Sequence, residues 1–187
     1  MTLIDDRTVR DAVQEPSNGE VQTLAAAGCA IVAGGIHLAV VPEHLAESWL
    51  MTVFFVVVGL AQLGLAAALR WQLPAALLAA AVVAHLGVIA LYVASRTVDL
   101  PFVPPHGPGH DIEHLPVDGG IGNGVPIYPG SRIEPVGVLD VACLIAELVL
   151  VALLTGMLPP KWRRLMTSSM LALGMFAIIA RGSGLLG

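Results

Sequence analysis

The chain has 187 residues, of which 56% are hydrophobic and only 12% are charged, and its formal net charge is −5. Soluble domains carry about 25% charged residues, so this composition excludes an ordinary soluble domain and indicates an integral membrane protein that contacts the lipid bilayer. The negative charge, with no basic cluster interleaved with aromatic residues, excludes nucleic acid as a partner.

The N-terminal segment, residues 1–20, mixes acidic and basic side chains and carries few apolar ones. It lacks the basic start and the immediate apolar core of a cleavable signal peptide, so we expect a polar tail. The rest of the chain, residues 21–187, is predicted to form one membrane domain.

Five apolar stretches are predicted membrane helices, because each comes near the roughly 20 residues that cross the hydrocarbon core of a bilayer. They lie at residues 21–41, 48–69, 73–95, 136–158 and 165–180, of which the last is the least apolar. The first is rich in alanine and glycine, which let a neighbouring helix backbone approach closely. The predicted fold is therefore an all-α bundle of five transmembrane helices, with the first helix packed inside it.

The orientation of the bundle is predicted from lysine and arginine, which are depleted from translocated loops. One side of the membrane would hold six of the nine cationic residues, namely Arg7, Arg10, Arg70, Lys161, Arg163 and Arg164, and the other side only Arg96, Arg132 and Arg181. This asymmetry predicts a cytoplasmic N-terminus and an external C-terminus in a multi-pass protein of the plasma membrane.

A long connection between the third and fourth predicted helices, residues 97–135, holds eight prolines and many glycines. Loops of this length are commonly functional or disordered, and the topology places this one outside the cell. It contains the run H-G-P-G-H-D-I-E-H, in which His106, His110 and His114 are accompanied by two carboxylates. Imidazole and carboxylate groups bind Zn²⁺ or Cu²⁺, although a solvated polar loop would explain the same residues.

A second group of metal-ligand residues follows the end of the first predicted helix. His37, Glu43, His44 and Glu47 lie within eleven residues, and a chain reversal at Pro42 would bring them together. Two imidazoles with carboxylates suit a first-row divalent metal or a proton relay. Alternatively, Glu43 and Glu47 only stabilise the dipole of the second helix, and His44 is interfacial.

Ionisable residues also lie inside the predicted spans, where they are costly and usually face the bundle interior. His85 and Glu147 are both near the middle of their helices and are predicted to pair, and Arg96 is predicted to reach Asp140 further out. Gln62 is a candidate for another interhelical hydrogen bond. These pairs would either build a functional polar site or serve only to set the helix register.

Two segments that flank the long loop carry a resemblance to known sequences. The run S-R-T-V-D-L-P-F over residues 95–102, and E-P-V-G-V-L-D over 134–140 with Glu147 beyond it, resemble stretches of uncharacterised actinobacterial multi-span membrane proteins. The resemblance implies a multi-span membrane protein and no particular function.

The polar groups together predict an outward-facing membrane protein that binds copper or zinc, for delivery, sensing or a metal-dependent membrane reaction. The ligands would be His37, Glu43, His44 and Glu47, with the loop histidines as a capture arm. No phosphate loop, nucleophile elbow or HExxH motif indicates a catalytic residue. The alternative is a non-catalytic accessory subunit that docks other membrane subunits.

Overall fold

The computed structural model describes residues 17–95 and 136–182. This part of the chain is helical, and no strand is present in it. Six helices follow one another in the order α1 (Asn18–Ala39), α2 (Val41–Glu47), α3 (Trp49–Ala68), α4 (Ala75–Ser95), α5 (Val138–Met157) and α6 (Pro160–Gly182). The all-α prediction is confirmed for these residues.

Four segments within the described residues are long and apolar enough to cross a membrane. They are Asn18–Leu45, Trp49–Ala68, Ala75–Ser95 and Val138–Met157, and they correspond to the first four predicted spans. The predicted fifth span, residues 165–180, falls within α6, where Met166 and Met170 lie against the core and most apolar side chains are exposed.

Helix α1 begins three residues before the predicted span because a capping box stabilises its first turn. The Ser17 hydroxyl accepts a hydrogen bond from the Glu20 amide, and the Glu20 carboxylate accepts one from the Ser17 amide at 2.7 Å. This reciprocal pairing satisfies two backbone donors that a helix start leaves open. The S-x-x-E spacing is the sequence signal for this boundary.

The end of α1 differs from the predicted helix end at Pro42. The helix ends at Ala39, and after a turn at Val40 the short helix α2 starts, with Pro42 in its first turn. Proline is tolerated there because first-turn amides have no partner within the helix. The backbone at Val40 keeps right-handed helical angles, so α2 continues from α1, and the extended backbone comes at Ser48, directly before α3.

Helix α1 is the central element of the bundle, as its small residues predict. It packs against α3 on one side and α5 on the other, and α4 packs against α5. At the crossing with α3, a Cβ atom added to Gly34 would lie 2.9 Å from the carbonyl oxygen of Gly59. Ala26, Ala30 and Ala33 are fully buried on the same helix. The small side chains thus allow close contact between backbones, which is how membrane helices associate.

Helices α3 and α4 follow each other in sequence but, in the described part of the chain, do not pack directly against each other. The spatial order is α3, α1, α5, α4. At one end of the bundle, α1 and α4 finish while α3 and α5 begin, so the long connection 96–135 joins the bundle at this end. The site described next lies between α3 and α4 at this end of the bundle.

Candidate functional site

A chain of buried polar side chains joins the four apolar helices α1, α3, α4 and α5 at the centre of the bundle. His37 comes from α1, Gln62 from α3, His85 from α4 and Glu147 from α5, and all four are buried. The Nδ1 atom of His37 lies 2.9 Å from Oε1 of Gln62, and Nδ1 of His85 lies 2.6 Å from Oε2 of Glu147. The Gln62 amide nitrogen donates to Oε1 of Glu147 and completes the chain. Such partners are required because an unpaired polar group inside a bilayer is costly.

The direction of these hydrogen bonds follows from the chemistry of Gln62. Its amide nitrogen is a donor only, so it must face the acceptor oxygen of Glu147, and its carbonyl oxygen then faces His37. That oxygen only accepts, so Nδ1 of His37 carries a proton. In the neutral ring, Nε2 of His37 therefore holds the lone pair that is available to a metal or a proton.

Cys143 adds a sulfur donor next to this chain. It lies one helical turn before Glu147 on α5, and its Sγ atom is 3.9 Å from both ring nitrogens of His37. One ligand atom each from His37, Cys143 and Glu147 can be chosen so that all three lie within 4.8 Å of one another. A tetrahedral zinc ion would hold a nitrogen and a sulfur about 3.5 Å apart. The distance between the His37 ring nitrogen and Sγ of Cys143 therefore has to shorten by a few tenths of an ångström for the group to hold such an ion.

A cavity of about 120 Å³ opens above the polar chain, between α3 and α4. His37, Cys143 and Glu147 contribute to its lining, and its walls are mainly apolar and aromatic, including Phe54 and Phe55. Since one water molecule needs only about 10–15 Å³ on such a measure, the cavity can hold several waters or a small ligand. It connects the buried polar groups with the end of the bundle to which the long connection is attached.

The predicted group of His37, Glu43, His44 and Glu47 is divided by the fold. His37 points into the bundle, whereas Nδ1 of His44 bonds the Val40 carbonyl oxygen at 2.9 Å and its ring packs on Phe55 with centroids 4.4 Å apart. Glu43 is exposed in the first turn of the short helix α2, and the first turn of α3, the second predicted span, contains no acidic residue, so the helix-dipole alternative is not met for that span. The side chain of Glu47 lies outside the described residues. His44 still borders the cavity, so it lies near its mouth rather than beside the buried ligands.

The structure contains part of the predicted intramembrane pairs. His85 and Glu147 are in contact as predicted, and so is the additional interhelical bond through Gln62. Asp140 accepts a hydrogen bond from the Gly137 amide at 2.7 Å and thereby caps the start of α5. Its predicted partner Arg96 lies outside the described residues, as do the loop histidines His106, His110 and His114.

The sequence contained a signal for Cys143 that the prediction left unused. The thiol stands on the same helical stripe as Glu147, four residues before it, although a thiol inside an apolar span is more often a small buried apolar group than a ligand. Its contact with His37 depends on how α1 and α5 are rotated against each other, which no local pattern reveals. Cys29, the other free cysteine, packs against the apolar core instead.

Comparisons with known proteins add no family and no relative to this geometry. No protein-family model matches the chain, and neither a curated protein nor a solved structure matches it. Functional inference therefore depends on the residues of the site.

Proposed function

We propose that this chain is a membrane metal-binding protein that holds copper or zinc through His37, Cys143 and Glu147. The observation that carries the proposal is the placement of nitrogen, sulfur and oxygen donors within 4.8 Å of one another at the floor of a cavity. Three protein ligands leave a fourth position for water or an incoming group, as in zinc sites that exchange or react. That position would face the cavity.

The surrounding hydrogen bonds support this assignment. A metal-ligating histidine usually donates a hydrogen bond from the N–H of its second ring nitrogen to a neighbouring acceptor. The side-chain carbonyl oxygen of Gln62 is such an acceptor for His37. Ligating carboxylates are themselves hydrogen-bonded, as Glu147 is by His85 and Gln62. A thiolate with an imidazole favours zinc or Cu(I), and the carboxylate shifts the preference toward zinc.

The proposed membrane arrangement sets the direction of access. We infer five spans in the plasma membrane, the four apolar segments and α6, with the N-terminus in the cytoplasm and the C-terminus outside. Cationic residues in the short loops support this orientation. The cavity then opens outward at the end of the bundle where the 97–135 connection is attached, and the histidines of this connection would capture metal before it reaches the buried ligands. Delivery, sensing and a metal-dependent membrane reaction all require such access.

One observation favours the alternative function of an accessory subunit of a larger membrane complex. His37, Gln62, His85 and Glu147 already satisfy one another without any ion. A network of this kind can serve only to set helix register and specificity. In that case the protein would bind no metal and would copurify with other subunits.

Metal analysis of the purified protein separates these two functions. We expect about one copper or zinc ion per chain after purification without chelators, and at least a tenfold loss of bound metal in Cys143→Ser and His37→Ala. Cys29→Ser is the matched control, because this cysteine packs against the apolar core and, among the described residues, belongs to no group of metal-ligand side chains. Wild-type protein that stays metal-free after incubation with either ion, or equal metal content in Cys143→Ser and wild type, would contradict the metal function.

A further inference from the structure

His44 lines the same cavity as the three buried ligands but does not belong to their group. The backbone at Val40 keeps helical angles, so α2 continues from α1, and His37 and His44 lie two turns apart on one helical face. Two turns correspond to about 10 Å along the helix axis. Ligand atoms of one tetrahedral zinc ion are only about 3.5 Å apart, so the two imidazoles mark two separate positions for an ion.

The hydrogen bond of His44 leaves one ring nitrogen available to a cation. Its Nδ1 atom lies 2.9 Å from the Val40 carbonyl oxygen, which only accepts, so Nδ1 carries the proton of the neutral ring. Nε2 then holds a lone pair and faces away from the backbone to which the ring is bonded. His37 has the same arrangement, with the carbonyl oxygen of Gln62 as its acceptor. The cavity therefore contains a nitrogen ligand near its mouth and another at its floor.

Phe55 contacts both imidazoles and bounds the distance between them. The centroid of its ring lies 4.4 Å from that of His44 and 5.7 Å from that of His37, so the two imidazole centroids are at most about 10 Å apart. The path from one imidazole to the other runs along this single aromatic side chain. The face of such a ring attracts a cation, which lowers the free energy of an ion in passage.

Helix α5 repeats the two-turn spacing beside α1. Asp140 precedes Glu147 by seven residues, Cys143 lies between them, and all three line the cavity. Asp140 is in the first turn of α5, at the end of the bundle where His44 lies, and its negative charge favours the approach of a cation. Metal-ligand groups are thus present from the mouth to the floor along both helices. Such groups replace part of the water that an ion loses when it enters an otherwise apolar cavity.

We propose that His44 is the entry ligand of this cavity: a zinc ion binds first to Nε2 of His44, passes along Phe55 and then reaches His37 and the other buried ligands. The inference rests on the proposed metal function and adds the order of the binding steps. Because His44 is not part of the final site, it determines how fast the ion enters and leaves, and not how tightly it is held. Uptake and release use the same path, so loss of His44 slows both to the same extent.

Stopped-flow measurement of zinc binding to the full-length protein in phospholipid nanodiscs tests this order. A fluorescent zinc indicator follows uptake of Zn²⁺, excess chelator starts release, and chelator competition at equilibrium gives Kd. His44→Phe keeps a ring against Phe55 but has no ligand nitrogen. We expect it to lower the rate constants of uptake and release at least fivefold each, with less than a twofold change in Kd. Leu45→Phe, at an exposed neighbouring position, is the matched control and should change none of the three.

The other possible results contradict the entry step in distinct ways. Equal uptake rates in His44→Phe and wild type, with both proteins folded, would mean that the ion does not pass His44. A larger Kd with faster release would make His44 a ligand of the final site instead. If His44→Phe does not fold, the same expectations apply to His44→Ala. Wild-type protein that binds no zinc would overturn the metal function and the entry step together, whereas zinc binding with unchanged rates in the variant overturns the entry step alone.

Discussion

Nδ1 of His85 and Oε2 of Glu147 lie 2.6 Å apart, and they join α4 to α5 at the middle of both helices. Both side chains are buried, and the second oxygen of Glu147 accepts from Gln62. The contact is therefore part of a shared network in which one carboxylate connects three helices. Loss of either member leaves the other buried without this partner.

This geometry predicts non-additive losses of stability. His85→Leu and Glu147→Leu should each lower the unfolding free energy by about 3 kcal/mol or more, because each leaves a buried polar side chain without its partner. The double variant should lose clearly less than the sum of the two. Unfolding of all three variants in detergent, with lipid-facing Val83→Leu as control, measures the coupling. Strictly additive losses would mean that the two side chains contribute independently.

The crossing of α1 and α3 predicts different effects for two adjacent glycines. An added Cβ at Gly34 would lie 2.9 Å from the Gly59 carbonyl oxygen, whereas one at Gly35 would meet nothing within 4 Å. Gly34→Ala should therefore separate the helices and cost about 1–3 kcal/mol, as overpacking of a close interface does. Gly35→Ala should be neutral or slightly stabilising, because alanine favours the helix. Equal thermal stability of the two variants would contradict the close approach of α1 and α3.

Much of the fold could be predicted from hydropathy and loop composition, because a bilayer allows few ways to satisfy the backbone. Helices α1, α3, α4 and α5 agree with the first four predicted spans to within three residues at both ends, and the alanine- and glycine-rich α1 is central. The short helix α2 was not predicted, since Pro42 stops a helix in its interior but is accepted in its first turn.

A contact within the site could be predicted from the sequence only where two residues lie at the same depth in the membrane. His85 and Glu147 lie near the middle of their helices, so antiparallel packing brings them to the same level, and they do meet. The grouping of His37 with Cys143 depends on the rotation of α1 against α5, which is set by the packing of small residues along the whole interface. Proximity in sequence instead predicts Glu43 and His44 as ligands, but Glu43 is exposed and His44 bonds the Val40 carbonyl oxygen.

The proposed orientation predicts which positions an impermeant thiol reagent can reach in intact cells. In a background with Cys29→Ser and Cys143→Ser, a cysteine at Gly109 in the long connection should react, and one at Trp162 at the start of α6 should react only after the cells are permeabilised. The reverse pattern would place the cavity mouth on the cytoplasmic side. Labelling of both positions in intact cells would contradict five spans.

Gln62 should strengthen metal binding although it is not itself a ligand. It fixes the ring of His37 through its carbonyl oxygen and holds Glu147 through its amide nitrogen. Replacing partners of this kind typically costs 10- to 100-fold in metal affinity, so Gln62→Leu should weaken zinc binding to about that extent while the ligands remain. Competition with a zinc chelator measures the affinity, and exposed Gln72→Leu is the matched control.

The pH dependence of the same titration tests whether side chains that must be deprotonated bind the metal. The ion requires the neutral ring of His37 and the thiolate of Cys143, so zinc occupancy should fall as the pH is lowered, and binding should release the thiol proton. In Gln62→Leu the ring loses the acceptor that keeps the proton on Nδ1, so a larger share of the neutral rings carries the proton on Nε2 and cannot bind the ion through that nitrogen. Zinc affinity that is equal in Gln62→Leu and in wild type, with both proteins folded, would mean that His37 does not bind the metal through the geometry described above.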